Sequence, residues 1–473
     1  MLLAVYLVGT AAGAAAYTHW PSRLRDRLFP MLAAACVLGA FSLFGAERVK
    51  ATVLQVLGPS MAAALAGEAA IAVAAFLLPT FMMGAVFSHL STGARVIGIG
   101  FGRALGVNTA GAAIAPLVFG VLLLPAVGPK VALMLVAAGY LLLSPQRAWS
   151  VAILPLAVFA PPLAFVDLPE GGRIVSYKEG AMAAVSVVED SGGVMRLRID
   201  NRQQEGSSAT RLADSRQALL PLLLHPAPRR ALFLGLGTGV TASAAAADPM
   251  LQVDAVELLP EVIEASAFFR RGAPDPRLHL MTADARRYVR ATRERYDLIV
   301  SDNFHPARSG SGALYTVEHF RAVHDRLAAG GLFCQWLPLH QLDLATLRSM
   351  VRAFVAAYPG AFAMLATNSL ETPVLGLVAL RDGDRFELAR LRERRAGWTG
   401  GLRLAELGID DDLALLGSFV AGPRALARFA DDAPLNTDDR PVVAYAAPRI
   451  TYAPDSLPRD RLIALLRELE IAS

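Results

Sequence analysis

The chain has little charge and few cysteines for its length. Only 18% of its 473 residues are charged, whereas 54% are hydrophobic, and the mean hydropathy is +0.44. Soluble domains contain about 25% charged residues, so part of this chain is expected to lie in lipid. The two cysteines, Cys36 and Cys334, fall in apolar segments, and two thiols exclude a disulfide-rich secreted module.

Lysine is also scarce, because it occurs only at Lys50, Lys130 and Lys178, and the net charge is a modest +4. No basic run reaches five or six residues, which excludes the usual footprint of a nucleic-acid partner. His319 and His324 are five residues apart on one predicted helix, and no Cys/His cluster has ligand spacing, so we predict no metal site.

Residues 1–168 are predicted to form a multi-pass transmembrane helical region. Their apolar blocks cover 2–18, 29–45, 62–89, 104–127, 130–144 and 148–166. Most of these blocks reach the ~17–25 residues that a helix needs to cross the hydrocarbon layer. Small residues recur in "GTAAGAAA" and "NTAGAAIAPLVFG", which predicts close helix packing in lipid.

The sidedness of this region stays open between two arguments. Arginines of the connections fall on one side if six spans alternate, which would place the soluble half outside the cytoplasm; they are Arg23, Arg25, Arg27, Arg95, Arg103 and Arg147. A nucleoside-dependent enzyme should face the cytoplasm, where its cofactors are made. We favour an inner-membrane protein with a cytoplasmic domain, although the charge distribution disagrees.

The soluble half begins with a predicted β-rich cap over 172–229. The segments "AAVSVVE" and "VMRLRID" alternate as strands around "DSGG", which is typical of a hairpin in a half-buried antiparallel sheet. Strand and helix patterns then alternate over 230–385, which predicts a doubly wound, mostly parallel sheet. A C-terminal extension covers 386–473. The expected fold is therefore a membrane helical region, a small β-sheet cap and a Rossmann-like, methyltransferase-type α/β domain.

Polar residues stand where the predicted strands end, which is where such folds bind ligands. They are Gly235, Gly237 and Gly239 after the first strand, then Glu257, Asp284 and Asp302 after the next three. The dinucleotide fingerprint has glycine where this chain has Val240, and no Walker lysine follows. The pattern suits a nucleoside without phosphates, with Glu257 on the ribose hydroxyls. The alternative for Asp284 and Asp302 is capping of loop or helix amides.

These residues resemble the spermidine synthase (aminopropyltransferase) family in its membrane-fused form. The segments "ALFLGLGTGVTASAAA", "VELLPEVIEAS", "YDLIVSDNFHP", "GALYTVEHF" and "GGLFCQWLPLHQL" carry the resemblance over about 174–345, and "APLNTDDRPVVAYAAPR" resembles the tail of the fused proteins. Those proteins usually have another apolar helix before "AVYLVGTAAGAAA", so it stays open whether Met1 is the true start.

The resemblance implies transfer of an aminopropyl group from decarboxylated S-adenosylmethionine to a diamine such as putrescine, leaving methylthioadenosine. The donor is then a co-substrate, and no permanently bound cofactor is expected. By position, Gln204 would contact the donor, Glu257 its ribose, and Asp284 with Ala285 its adenine.

On the acceptor side, the resemblance implies that Asp302 helps to hold the attacking amine and that Tyr315 forms part of the pocket wall. Gln335 ends a predicted strand on the ligand side, so it is a further candidate for the acceptor pocket. A carboxylate suits this role because it binds an ammonium ion and stabilises the charge that develops on the amine.

Three departures from the family pattern weaken the expected anionic pocket. Thr238 replaces an acid of the glycine loop, His305 replaces the usual acidic base, and the family's tyrosine–histidine pair aligns near Ala213 and Asp214. His305 is still a candidate base, since an imidazole of ordinary pKa accepts protons near neutrality; its alternative is a loop residue that packs or caps before a proline.

Two other functions stay open. One is a methyltransferase using intact S-adenosylmethionine, which needs a partner for the methionine carboxylate. The other is a membrane transport or sensing protein whose nucleoside domain binds ligand without turnover. The expected partners are a small amine and the lipid bilayer, with a homo-oligomer left open. In "NTDDRP", Asp438 and Asp439 fit either a helix cap or a lid over the site.

Overall fold

A computed structural model describes residues 1–472, apart from 59, 146, 162, 165, 202, 271–274, 303, 368 and 453–455. The chain divides into two compact units. The first contains Met1–Asp167 with Tyr177–Ala184, and the second contains Leu168–Ser176 with Val185–Ser473. The finer boundaries predicted at 230 and 386 stay predictions, since both fall inside the second unit.

The first unit is helical. Its helices are α1 (Leu2–Tyr17), α2 (Ser22–Arg25), α3 (Leu28–Ser42), α4 (Ala46–Leu57), α5 (Met61–Val96), α6 (Phe101–Ala115), α7 (Leu124–Leu142) and α8 (Ile153–Phe159). A π-helical segment, Pro116–Leu123, joins α6 to α7.

Within the described residues, three helical stretches are both long and apolar enough to cross a bilayer: Leu28–Leu57, Ala62–Val96 and Phe101–Leu142. The six predicted blocks therefore do not form six separate long helices. The blocks at 104–127 and 130–144 join into one stretch that bends at Gly128, whose φ is 76°. The last block forms a 3-10 turn and the seven-residue helix α8. Whether these helices cross a membrane stays a prediction.

Glycines bring α1 and α5 into backbone contact. A Cβ on Gly13 would lie 1.8 Å from the carbonyl oxygen of Phe81, and one on Gly84 would lie 2.0 Å from that of Thr10. Backbones approach this closely only where no side chain intervenes. The close packing predicted for "GTAAGAAA" is thus confirmed. The same prediction for "NTAGAAIAPLVFG" is wrong for this unit, because a Cβ on Gly111 would meet no described atom within 4 Å.

A four-stranded sheet forms the cap in the order β1 (Arg173–Glu179), β2 (Ala184–Glu189), β3 (Met195–Ile199) and β4 (Gln203–Ser207). The predicted hairpin is confirmed, since β2 and β3 pair antiparallel. Asp190 closes the turn because its Oδ1 accepts hydrogen bonds from the amides of Gly192 and Val194, an arrangement typical of Asx turns.

The rest of the second unit alternates strands and helices. In chain order it contains α9 (Arg211–Leu224), β5 (Arg230–Leu234), α10 (Val240–Ala246), β6 (Gln252–Glu257), α11 (Pro260–Ala265), β7 (Leu278–Thr282), α12 (Ala285–Ala291), β8 (Tyr296–Ser301), α13 (Val317–Arg326), β9 (Leu327–Pro338), α14 (Leu344–Ala357), β10 (Phe362–Leu365), β11 (Val374–Leu380), α15 (Leu388–Ala396), α16 (Asp412–Leu416), β12 (Phe419–Ala421), α17 (Pro423–Ala430), α18 (Val442–Tyr452) and α19 (Pro458–Ala472).

The eight strands form one sheet in the order β12-β10-β11-β9-β8-β5-β6-β7. Strands β5 to β9 pair parallel, whereas β10, β11 and β12 pair antiparallel. One apolar core packs α13 and α14 against the sheet, and a second packs α9 and α10 against it. This mixed sheet between helical layers fits the predicted Rossmann-like, methyltransferase-type fold.

One predicted helix is too long. The pattern "TVEHFRAVHDRLAAGG" predicts helix to residue 331, but α13 ends at Arg326 and Leu327 already pairs with Tyr296 of β8. Leu327 is fully buried, and Gly330 has a φ of 70°, which suits glycine in a bend of a strand. Tertiary pairing thus overrides the helical pattern of "LAA".

The "NTDDRP" segment is anchored beside α13. The Asn436 side chain is fully buried; its Nδ2 donates to the carbonyl of Tyr315 at 2.8 Å, and its Oδ1 accepts from the amide of Val443 at 3.2 Å. Asp438 pairs with Arg286 and accepts a hydrogen bond from Thr316 Oγ1 at 2.9 Å. The side chain of Asp438 therefore fastens the C-terminal extension to the start of α13.

We expect Gly13→Leu to destabilise the helical unit by about 1–3 kcal/mol, because a side chain there overpacks the α1–α5 contact. The measurement is the thermal midpoint of the full-length protein in detergent. The matched control is Gly111→Leu, which meets open space and should leave the midpoint nearly unchanged. Equal midpoints for the two variants would contradict the packing.

We expect Asn436→Ala to lower the free energy of unfolding of the second unit by about 2–4 kcal/mol, because it leaves two buried backbone groups without partners. Denaturant unfolding checks this expectation. Asp439→Ala changes an exposed neighbour and should cost less than about 0.5 kcal/mol. An Asn436→Ala curve that overlays the wild type would rule out the anchoring role.

Candidate active site

The candidate site lies where the direction of the strand connections reverses. From β5 the chain continues to β6 and β7 on one side, whereas β8 and β9 lie on the other side. Open α/β sheets bind ligands at this point, beyond the carboxyl ends of the strands. A cavity of about 680 Å³ opens here between the cap strand β4, the start of α9, the glycine loop and the loop after β8. Its hydrogen-bonding and titratable side chains include Gln204, Glu205, Asp214, Asp302, His305, His340 and Gln341.

The loop after β5 depends on its three glycines. Gly235, Gly237 and Gly239 have φ values of 89°, 51° and 73°, which only glycine adopts readily. Space is also limiting, since a Cβ on Gly235 would lie 2.8 Å from a ring carbon of Phe304. The loop turns tightly, with the amide of Gly239 donating to the carbonyl of Leu236 at 2.8 Å. Backbone atoms are therefore presented to the site with no side chain over them.

Glu257 ends β6 and is tied to the glycine loop. Its Oε2 accepts from the amide of Leu236 at 3.1 Å, and its Oε1 accepts from the amide of Leu259 at 3.0 Å. The side chain is 9% exposed, so its orientation is set by these two bonds. Each carboxylate oxygen has a second lone pair, which keeps the predicted contact with ribose hydroxyls chemically feasible.

Asp284 caps α12, because its Oδ1 accepts from the amide of Arg287 at 2.8 Å. The capping interpretation of this residue is therefore confirmed. The side chain is exposed and stands after β7, followed by Ala285 as the first helical residue. Contact of these two residues with adenine stays a prediction.

Asp302 follows β8 directly and lines the cavity. Its amide donates to the carbonyl of Leu234 at 2.9 Å, which brings it next to the glycine loop. Glu257 and Asp302 are thus brought to the same edge of the sheet as the three glycines, as the strand-end pattern predicts.

Gln335 and Tyr315 lie behind the cavity and are not among its lining residues. Both are fully buried. The Gln335 amide donates to the carbonyl of Asp302 at 3.4 Å, and the Tyr315 hydroxyl donates to the carbonyl of Phe304 at 2.6 Å. The expectation that these two side chains form the pocket wall is therefore corrected. They support the loop after β8 instead, because their polar atoms donate hydrogen bonds to its backbone carbonyls.

His305 lines the cavity together with His340. Burial, followed by the nearby Arg308 guanidinium, lowers the pKa of His305 to about 4. Burial and then His305 likewise lower the pKa of His340 to about 4. Both imidazoles are therefore neutral at pH 7 and can accept hydrogen bonds, but each is a weak proton acceptor.

Two further acids line the cavity and are absent from the sequence-based site. Burial raises the pKa of Glu205 to about 7, and Glu257 and Asp302 add to this effect, while Arg308 opposes it. Burial, followed by Asp302, raises the pKa of Asp214 to about 7, with the Thr210 hydroxyl opposing. Two acids that the family pattern does not indicate therefore line the cavity. The expectation of a weakened anionic pocket stays a prediction, because an acid with a pKa near 7 is only partly ionised at neutral pH.

Comparison with known proteins gives an independent view of this domain. A model of the family described as "Spermine/spermidine synthase domain" matches residues 216–367. The polyamine aminopropyltransferase of Thermotoga maritima is 33% identical over 126 residues, which are 24% of this chain and 41% of the relative. The spermidine synthase of Dictyostelium discoideum is 28% identical over 145 residues, which are 30% of this chain and 51% of the relative.

A solved structure of spermidine synthase from Thermotoga maritima covers 55% of this chain and 87% of its own, with 19% identity and a TM-score of 0.45. The chain spans about half, or less, of the length of the two relatives named above. The family match covers the domain that holds the glycine loop, Glu257 and Asp302. Residues 216–367 are thus similar to the spermine/spermidine synthase domain.

Proposed function

We propose that this protein is a membrane-anchored aminopropyltransferase. It would transfer the aminopropyl group of decarboxylated S-adenosylmethionine to a diamine such as putrescine, giving spermidine and methylthioadenosine. The observation that carries the proposal is the cavity beside the glycine loop, where Glu205, Asp214 and Asp302 face one space. Several carboxylates in one partly buried cavity repel one another, and a polycationic ligand relieves that repulsion.

The donor would lie along the glycine loop. Glu257 would accept hydrogen bonds from its ribose, Asp284 and Ala285 would border its adenine, and Gln204 would contact its aminopropyl chain. The names of two relatives, polyamine aminopropyltransferase and spermidine synthase, support aminopropyl transfer as the reaction.

In the transfer step, a neutral amine nitrogen attacks the methylene carbon next to the sulfonium. A C–N bond forms, the C–S bond breaks, and its electron pair stays on sulfur, so methylthioadenosine leaves uncharged. The amine loses one proton to a base in the site. Asp302 would hold the ammonium group before this loss and stabilise the charge that develops on nitrogen.

The same cavity argues against the methyltransferase alternative. Intact S-adenosylmethionine carries a carboxylate where the decarboxylated donor has only hydrogen. Among the described residues that line the cavity, none is lysine or arginine, whereas Glu205, Asp214 and Asp302 are acids, so this carboxylate would be repelled there.

We also propose that the first unit anchors the enzyme in the bilayer. Three stretches of sufficient length and hydropathy support this role, and the first of them is 30 residues long. The aminopropyl donor is made in the cytoplasm, which favours a cytoplasmic domain.

We expect the full-length protein, purified in detergent, to form methylthioadenosine and a lengthened amine from decarboxylated S-adenosylmethionine and putrescine. Mass spectrometry of the products checks this, with a panel of other diamines run in parallel. S-Adenosylhomocysteine formed from the intact donor would support the methyltransferase instead. Binding of either donor without product from any amine would support the sensing or transport alternative.

We expect Asp302→Asn to lower kcat/KM for the amine by at least ~100-fold, because it removes the charge that attracts the ammonium and keeps the side-chain shape. Steady-state kinetics with the full-length protein measure the effect. Asp325→Asn is the matched control, since that side chain is 75% exposed at the end of α13 and should keep wild-type rates. A fully active Asp302→Asn variant would remove Asp302 from the site.

A further inference from the structure

We propose that Glu205 of the cap strand β4 is the base that takes the proton from the attacking amine. The base would then belong to the β-sheet cap. It would not belong to the loop after β8, where this chain has His305. This inference rests on the proposed aminopropyl transfer and assigns one of its steps to a residue.

A β-bulge directs Glu205 into the cavity. In the pairing of β3 with β4, Leu197 is opposite Gly206 and Arg198 is opposite Gln204, so Glu205 is the extra residue between two register positions. Successive residues of a regular strand point to opposite faces. Here Gln204 and Glu205 both line the cavity, which is the change of direction that a bulge next to an active site produces.

The bulge also places Glu205 directly at the glycine loop. Its carbonyl oxygen lies 3.3 Å from the position that a Cβ on Gly237 would take. Its neighbour Gly206 packs against Thr238, since a Cβ there would lie 2.5 Å from Thr238 Cγ2. Thr238 stands where the family usually has an acid, so Glu205 brings a carboxylate to the part of the loop that lacks one.

The surroundings of Glu205 place it between the two substrates. Asp302, Asp214 and His305 line the same cavity as Glu205, and the charges of Arg308, Glu257 and Asp302 act on its carboxyl group. In the proposed function Glu257 binds the donor and Asp302 the acceptor, so a carboxyl group on which both act would be close to both substrates. Its pKa, raised to about 7, suits a group that must accept a proton near neutrality.

The other candidates fit this step less well. His305 has a pKa lowered to about 4, so near neutral pH its imidazole is too weak a base to take a proton from an ammonium group. Asp214 lies in the first turn of α9 and accepts a hydrogen bond from the Thr210 hydroxyl at 3.1 Å, whereas the backbone of Glu205 lies against the glycine loop.

The step balances without a further reactant. The ammonium of the bound acceptor gives one proton to the ionised Glu205 carboxylate, and the freed nitrogen pair forms the C–N bond. The C–S bond breaks onto sulfur and neutralises the sulfonium. The secondary amine formed then carries the positive charge, and Glu205 returns its proton to solvent after product release.

The test is the pH dependence of kcat/KM between pH 5.5 and 9.5, with decarboxylated S-adenosylmethionine and the diamine that the wild type accepts. The full-length wild type is compared with Glu205→Gln, Asp214→Asn and His305→Gln. A base acts only when ionised, so the wild-type kcat/KM should rise with pH through about 7 and then level off.

We expect Glu205→Gln to lose at least ~100-fold in kcat/KM at pH 7.5. Its profile should show no break near 7 and should keep rising toward the acceptor's own pKa, about 10 for an alkylamine. His305→Gln and Asp214→Asn should retain the wild-type break. Glu205→Asp keeps the carboxylate and should recover both the break and part of the rate.

The proposal is overturned if Glu205→Gln keeps the break near 7, or if His305→Gln or Asp214→Asn abolishes it. The thermal midpoint of Glu205→Gln is the control for folding. If this midpoint is no lower than that of the wild type, a lost break cannot be attributed to unfolding. This is the expected result, since the neutral amide avoids the burial of a charge. A wild type that turns over no amine overturns the proposed function itself, and this assignment with it.

Discussion

Repulsion among carboxylates at one edge of the sheet is the interaction on which the site depends. Burial is the main cause that raises the pKa of Glu205 and of Asp214, and repulsion adds to it, from Glu257 and then Asp302 at Glu205 and from Asp302 at Asp214. Burial strengthens this repulsion because little water screens the charges. Each acid is thus less stable as an anion until a cation enters. This repulsion makes the empty, fully ionised cavity unfavourable. A polyamine relieves it and therefore binds favourably, whereas a ligand with its own carboxylate adds to it.

Such a cavity requires support from segments that are far apart in the sequence. The loop after β8 is held by Tyr315, whose hydroxyl donates to Phe304, and by Gln335, whose amide donates to Asp302. Tyr315 is held in turn by Asn436 of the C-terminal extension. The "NTDDRP" segment therefore anchors the loop after β8. Within it, Asp438 forms an ion pair with Arg286 beside α13, which favours an anchoring role over a lid. Asp439 is exposed and makes no contact that decides its role.

The helical unit obeys a different constraint, since shape and not charge determines its packing. Gly13 and Gly84 allow α1 and α5 to touch through their backbones. The helix α6 follows no such rule and leaves Phe101, Leu105, Val107 and Ile114 exposed within this unit, and α7 leaves Val127, Leu135 and Leu142 exposed although its other face is buried. Apolar surface of that extent is normal against lipid and costly in water, which is consistent with a membrane location for these helices.

The sequence by itself determined the strand order along the chain, the glycine loop, and the acids that end the strands. These features depend on local backbone conformation and on the two-residue period of buried strands, which neighbouring residues specify. Only the tertiary structure decided which acids share the cavity. Glu205 reaches it through a bulge that becomes visible only when β3 pairs with β4, and Asp214 reaches it because α9 packs beside the glycine loop. The end of α13 was decided in the same way, since Leu327 satisfies its backbone by pairing with β8. Pairing and packing act between residues that are distant in sequence, so no local pattern encodes them.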